Sequence, residues 1–111
     1  MESEGREVKT SHLFDNRDIP SIFFYGMDTF GLRAADVFME ELFDRVAKLE
    51  TQYLLNPECR HLETKTKIYQ NIIFGSYLII YRIKAQKIEV LRAFHGSRSP
   101  KTIKSSRKIK L

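Results

Sequence analysis

The chain reads as an α+β domain, a helical hairpin packed on one face of a three- to four-stranded antiparallel sheet. Two observations carry that reading. Two runs of β-branched and aromatic residues, Tyr77 to Ile83 and Ile88 to His95, flank the polar step Ala85-Gln86-Lys87, the pattern of an antiparallel hairpin. Upstream, Ala35, Phe38, Leu42, Val46, Leu49 and Tyr53 recur at steps of three and four, which predicts an amphipathic helix from about Leu32 to Tyr53. A chain of 111 residues has room for one core of this kind.

Arg6 to Leu13 alternates weakly and carries charges that suit an edge strand. Asp15 or Asp18 is placed to cap the next helix, with Pro20 in its first turn, and Ile19, Ile22, Phe23 and Tyr25 give a short helix ended by Gly26. Thr29 to Gly31 break the pattern before the long helix, whose Asp36, Glu40, Glu41, Asp44 and Arg45 fall off the apolar stripe. Asn56-Pro57 stops that helix, and Glu58 to Thr66 reads as a polar connection holding Cys59 and His61. Lys67 to Phe74 is the next strand, closed by Gly75-Ser76, and the hairpin follows. The order is strand, helix, helix and three strands, in one domain over residues 1–100. Residues 101–111 form a basic tail whose bulky apolar groups are Ile103, Ile109 and Leu111, and a free tail is the expectation.

By the period of two, Tyr77, Ile79, Tyr81 and Ile83 face the helices, while Leu78, Ile80, Arg82 and Lys84 point the other way. Both faces of the middle strand are therefore apolar. One layer of two helices covers one of them, so a partner is expected over Leu78 and Ile80.

The net charge of +5 is unevenly spread. From Arg82 onward ten Lys or Arg residues stand against the single acid Glu89, a segment of +9 that leaves −4 upstream. Such a field suits an anionic partner, either nucleic acid or an acidic protein segment. The longest apolar run is too short for a membrane span, and Met1 to Gly5 lacks the basic-then-apolar layout of a secretion signal. The lone Cys59 has no internal disulfide partner, and a cytoplasmic protein is expected.

The motifs exclude several chemistries. His12, His61, His95 and Cys59 do not fall at the close spacings of zinc sites, so no metal is expected. There is no Gly-x-Ser-x-Gly elbow, Cys59 has only the sequence-near His61, and phosphate-loop and dinucleotide glycine patterns are missing, so no cofactor is expected. What remains is Arg92, His95 and Arg98 around the end of the last strand. These could meet a phosphate, with His95 as acid or base near neutral pH. Equally, His95 caps the strand end and the arginines pair with acids of the helices.

Gly75-Ser76-Tyr77-Leu78-Ile79-Ile80-Tyr81-Arg82-Ile83, followed by Ile88 to Arg98, resembles the closing signature of the ParE branch of the RelE/ParE toxin superfamily. Asp18-Ile19, Tyr25, Phe30-Gly31, Ala34 or Ala35, Leu49 and Asn56-Pro57 resemble the family's helical hairpin in order and spacing. The resemblance covers roughly Val8 to Pro100. It implies the toxin of a type II toxin–antitoxin pair, of the plasmid-stabilisation type, held as a hetero-oligomer by a cognate antitoxin that lays an acidic segment across its surface. ParE-type members inhibit DNA gyrase, whereas RelE-type members cut messenger RNA on the ribosome. Leu78 is apolar where the nucleases carry an arginine, which favours the gyrase reading with no catalytic residue. Leu78, Ile80, Arg82, Arg92, His95 and Arg98 are then the expected partner-binding residues, and trimming the tail is expected mainly to slow association. The alternatives are a metal-independent endoribonuclease using Lys67, Tyr69, Arg92, His95 and Arg98, and an inactive relic that keeps only antitoxin affinity.

Overall fold

The predicted hairpin forms the middle of the sheet. In the computed structural model, which describes residues 5–111, β3 (Tyr77–Ile83) and β4 (Lys87–His95) pair antiparallel, and β2 (Tyr69–Phe74) adds antiparallel to the far edge of β3. Gly75, at φ 60°, turns β2 into β3 in the left-handed region that glycine enters without a Cβ clash. The absence of a leader pattern at Met1 to Glu4 lies outside the described residues.

The first strand corrects the all-antiparallel expectation. β1 (Glu7–Thr10) pairs with β4 in parallel, Glu7 opposite Lys87 and Thr10 opposite Val90, so the sheet is mixed with the order β1-β4-β3-β2. Parallel neighbours need a long crossover, and everything from Ser11 to Gln86 supplies it. Glu7 and Lys9 pair at 3.1 Å and keep this edge charged.

α1 (Ile19–Phe30) is longer than predicted and runs through Gly26. A glycine inside a helix costs about 1 kcal/mol relative to alanine. A Cβ at Gly26 would lie 3.5 Å from the Cβ of Ala35, in ordinary contact, so α1 and the helix that follows approach closely at this point. The stop comes at Gly31, whose φ of 97° lets the chain reverse into α2 (Leu32–Ala47). The predicted long helix breaks at Lys48 and resumes as the short α3 (Leu49–Gln52). Its buried stripe is Ala35, Met39, Leu42, Val46 and Leu49, with Phe38 only half-buried. Met39, Leu42, Val46 and Leu49, with Phe14 and Ile22, pack on Ile72, Ile79, Tyr81, Ile88, Val90 and Ala93 of the sheet, while Ala35 faces Gly26 of α1. Tyr81 is held further by polar contacts: its hydroxyl donates to the Tyr53 carbonyl at 2.7 Å and accepts from Asn56 at 3.2 Å. Burial pushes that phenol up to about 12, so it remains a donor throughout the neutral range.

The second face of the sheet is closed by the chain itself, which overturns two expectations. Glu58 to Thr66 is no mere polar connection, because Cys59 and Leu62 are fully buried against Tyr69, Ile80, Leu91 and Phe94. Burial first, and then Glu63 and Glu58, push the Cys59 thiol up to about 11, so it stays protonated and packs as a small apolar group. Nor is the C-terminal segment free. Ser99 caps α4 (Pro100–Lys104) by accepting the Thr102 N–H, Ile103 enters the same cluster, and a tight turn over Ser105–Lys108 brings Ile109 against it. Ile80 is therefore 0% exposed without any partner chain.

Arg82 explains why the tail stays down. Its guanidinium, 7% exposed as a residue, donates to Glu89 at 2.7 Å and to the Ile109 carbonyl at 2.7 Å. Lys87 reaches the other Glu89 oxygen at 3.1 Å. Burial alone would raise the Glu89 carboxyl, but hydrogen bonds and charge from Arg82 and Lys87 outweigh it and hold the group below its ordinary 4.5. A depressed folded value means that this stabilisation is present above the unfolded pKa and is lost as pH falls through the folded one. Urea midpoints should accordingly fall as pH drops below about 4.5, and Glu89→Gln should remove that part of the acid response; an identical acid response in the variant would assign it to other carboxylates.

Candidate functional site

The site is built by a defect in the pairing of β4. Ile80 pairs with Arg92 but Tyr81 pairs with Val90, so Leu91 is an extra residue on β4. β1 ends at the same level, and the Ser11 hydroxyl donates to the Leu91 carbonyl at 2.6 Å while accepting the Phe14 N–H at 3.0 Å. Beyond this point the edge of β4 is open to α1. Asp18 fills the gap: it accepts the Ala93 N–H at 2.8 Å and grips Arg92 through two bonds of 2.8 and 2.9 Å. Asp18 thus serves no cap on α1, against expectation, because the buried strand edge and the Arg92 fork offer it stronger partners.

A cleft of about 530 Å³ opens between this edge and α1, with Arg17, Ser21, Tyr25, Tyr77, His95 and Arg98 in its wall. The Asp18 charge is spent on Arg92, while Arg17 and Arg98 pair with no carboxylate among the described residues. Arg98 lies over the Phe94 ring at 5.6 Å, and Arg92 over the same ring at 5.2 Å. His95 Nδ1 accepts the Ser97 N–H at 3.2 Å and sits 2.8 Å from the Ser97 hydroxyl, so the neutral ring carries its proton on Nε2. Its ring meets Tyr77 edge-on at 5.9 Å. Burial, with Tyr25 second, raises the Tyr77 phenol above its ordinary 10.0 and keeps it a hydroxyl donor.

The sequence-predicted residues divide into three groups. Arg92, His95 and Arg98 come together at the cleft, with Leu78 half-buried behind Phe94. Ile80 and Arg82 lie under the tail and hold the second core layer together. Lys67 and Tyr69 stand at the opposite end of the sheet from His95, since Tyr69 is opposite Arg82 and Tyr77 opposite His95. The five residues of the nuclease alternative do not converge. Arg17, Ser21 and Tyr25 were missed, because the first turns of α1 meet the end of β4 only through the long-range Asp18 contact. Among the described residues no group of three His, Cys, Asp or Glu side chains is placed to hold a metal ion, and no helix is long and apolar enough to cross a membrane.

Residues 14–100 match the family described as ParE toxin of type II toxin-antitoxin system, parDE. The chain belongs to the ParE toxin family. The match begins at Phe14 and ends at Pro100, so β1 and nearly all of the ordered tail of this ParE-type toxin lie beyond it. Among solved structures it is similar to a chain of the chromosomal ParDE TA system from P. aeruginosa, with a TM-score of 0.68 and 16% identity over 84% of this chain and 98% of that one. That likeness is one of fold. Comparison with curated proteins gives no match.

Proposed function

We propose that this ParE-type toxin acts by binding rather than by catalysis, with DNA gyrase as its target in the cytoplasm and a cognate antitoxin as its inhibitor. The observation that carries the reading is the separation of Lys67 and Tyr69 from His95 and Arg98 by the length of the sheet. The nuclease alternative needs Lys67, Tyr69, Arg92, His95 and Arg98 around one phosphate, and these five do not meet. Here Arg92 is tied to Asp18 and Tyr69 is buried beneath the tail, which leaves exposed cations and aromatic groups suited to recognition. The chromosomal ParDE system of similar fold pairs a toxin with an antitoxin, and the concentration of positive charge from Arg82 onward favours an acidic partner segment. His95 and Arg98 are the contact residues of the expected set, with Arg92 and Leu78 behind them; Ile80 and Arg82 act by keeping the sheet intact.

Purified gyrase should lose supercoiling activity in the presence of the protein and regain it when the antitoxin is added. Undiminished supercoiling at high micromolar protein sinks the gyrase assignment. Codon-positioned cuts in translated messages, seen by primer extension, would instead establish the nuclease.

A further inference from the structure

A second, apolar cleft adjoins the basic one. This arm of about 190 Å³ is walled by Phe30, Ala34 and Phe38, and Ile22, Tyr25 and Tyr77 belong to both arms. Phe38 and Tyr77 lie 5.8 Å apart with their rings tilted at 59°, forming an aromatic floor. Phe30 is 70% exposed and Tyr25 59%, so aromatic surface is available to a ligand in this arm. We propose that this two-armed cleft binds a nucleotide, with the base in the apolar arm and the phosphate among Arg17, His95 and Arg98.

Three features select that ligand class. The charge is right, because Asp18 is neutralised by Arg92 and the remaining polar groups of the basic arm are guanidinium N–H, imidazole Nε2–H and hydroxyl donors. The shape is right, because an aromatic-lined slot beside a cationic one accepts a flat ring joined to an anion, and stacking on aromatic rings tolerates any base. The two arms adjoin at Ile22, Tyr25 and Tyr77, so the ligand the proposal requires is one small molecule with an apolar end and an anionic end. A helical peptide would instead require an elongated groove with anchor sites at successive turns, whereas the apolar arm is a small cavity of about 190 Å³. The inference does not rest on the gyrase assignment.

Amide resonance shifts of the full chain, titrated with AMP, adenosine and inorganic phosphate, test it. AMP should shift residues of both arms and bind at least about tenfold more tightly than adenosine or phosphate, each of which fills one arm. Arg98→Ala should weaken AMP about tenfold. Ala34→Leu, at an exposed position, should reduce AMP to the affinity of phosphate alone while leaving phosphate binding intact. A 5′-phosphorylated trinucleotide distinguishes the source: tighter binding than AMP assigns a strand end, equal or weaker binding a free nucleotide, and both uphold the site. Equal affinities for AMP and phosphate, or AMP binding unchanged in folded Ala34→Leu, would overturn it. So would silence toward AMP combined with shifts from an acidic amphipathic peptide.

Discussion

Asp18→Ala is expected to lower the melting temperature by roughly 15 °C, the equivalent of about 3–5 kcal/mol in a domain of this size. The carboxylate is buried and holds both a bidentate arginine and a strand-edge N–H, so its removal strands two donors in the interior at once. Asp18→Asn, which keeps one acceptor oxygen, should lie between. Adding Arg92→Leu to Asp18→Ala should recover part of the loss, because much of the cost is an unpaired buried cation rather than a missing attraction. A double variant no more stable than Asp18→Ala, or a single variant that melts like the parent, would show that the pair does not secure α1 to β4.

Ending the chain after Ser99 should have an effect of similar size, about 3 kcal/mol or more. The truncation removes Ile103 from the second core, uncovers Ile80, Leu91 and Phe94, and takes from Arg82 the Ile109 carbonyl it holds at 2.7 Å. The sequence-based expectation that the tail mainly steers association is replaced by this one, since charges anchored by a buried isoleucine are part of the fold. Denaturant unfolding of the truncated chain is the measurement; an unchanged midpoint would mean that the tail rests on the sheet without stabilising it. Ile80→Asp in the full chain should be comparably damaging, so a loss of partner binding in that variant would report unfolding rather than contact.

The parts of the fold that were legible in the sequence are those whose burial repeats. The β3–β4 hairpin and the stripe through Ala35, Leu42, Val46 and Leu49 each present several apolar residues at a fixed period, and that period belongs to the local geometry. Cys59, Leu62 and Ile103 are as deeply buried, yet each stands alone among polar neighbours and is drawn in by a surface formed elsewhere. No local pattern announces that. The parallel pairing of β1 was equally silent, because four residues with two charges suit any edge. Of the site, Arg92, His95 and Arg98 were visible as a cluster within seven residues. Arg17, Ser21 and Tyr25 joined them only through the bulge at Leu91 and the carboxylate of Asp18.

The partnership of β1 with β4 also fixes when this protein can exist. Glu7 to Thr10 wait for Lys87 to Val90, the farthest-separated strand pairing in the sheet, and Arg82 waits further for the carbonyl of Ile109. Until Lys87 to Val90 have been made and are free to pair, the first strand has no partner, and until Ile103 and Ile109 arrive the second core has no seal. Contacts this distant in sequence form slowly and late. Assembly of the full sheet is thus a late event in the folding of this chain. Before that pairing the β4 edge that receives β1 stands open, an interval in which a protein waiting nearby can meet the chain before it is finished.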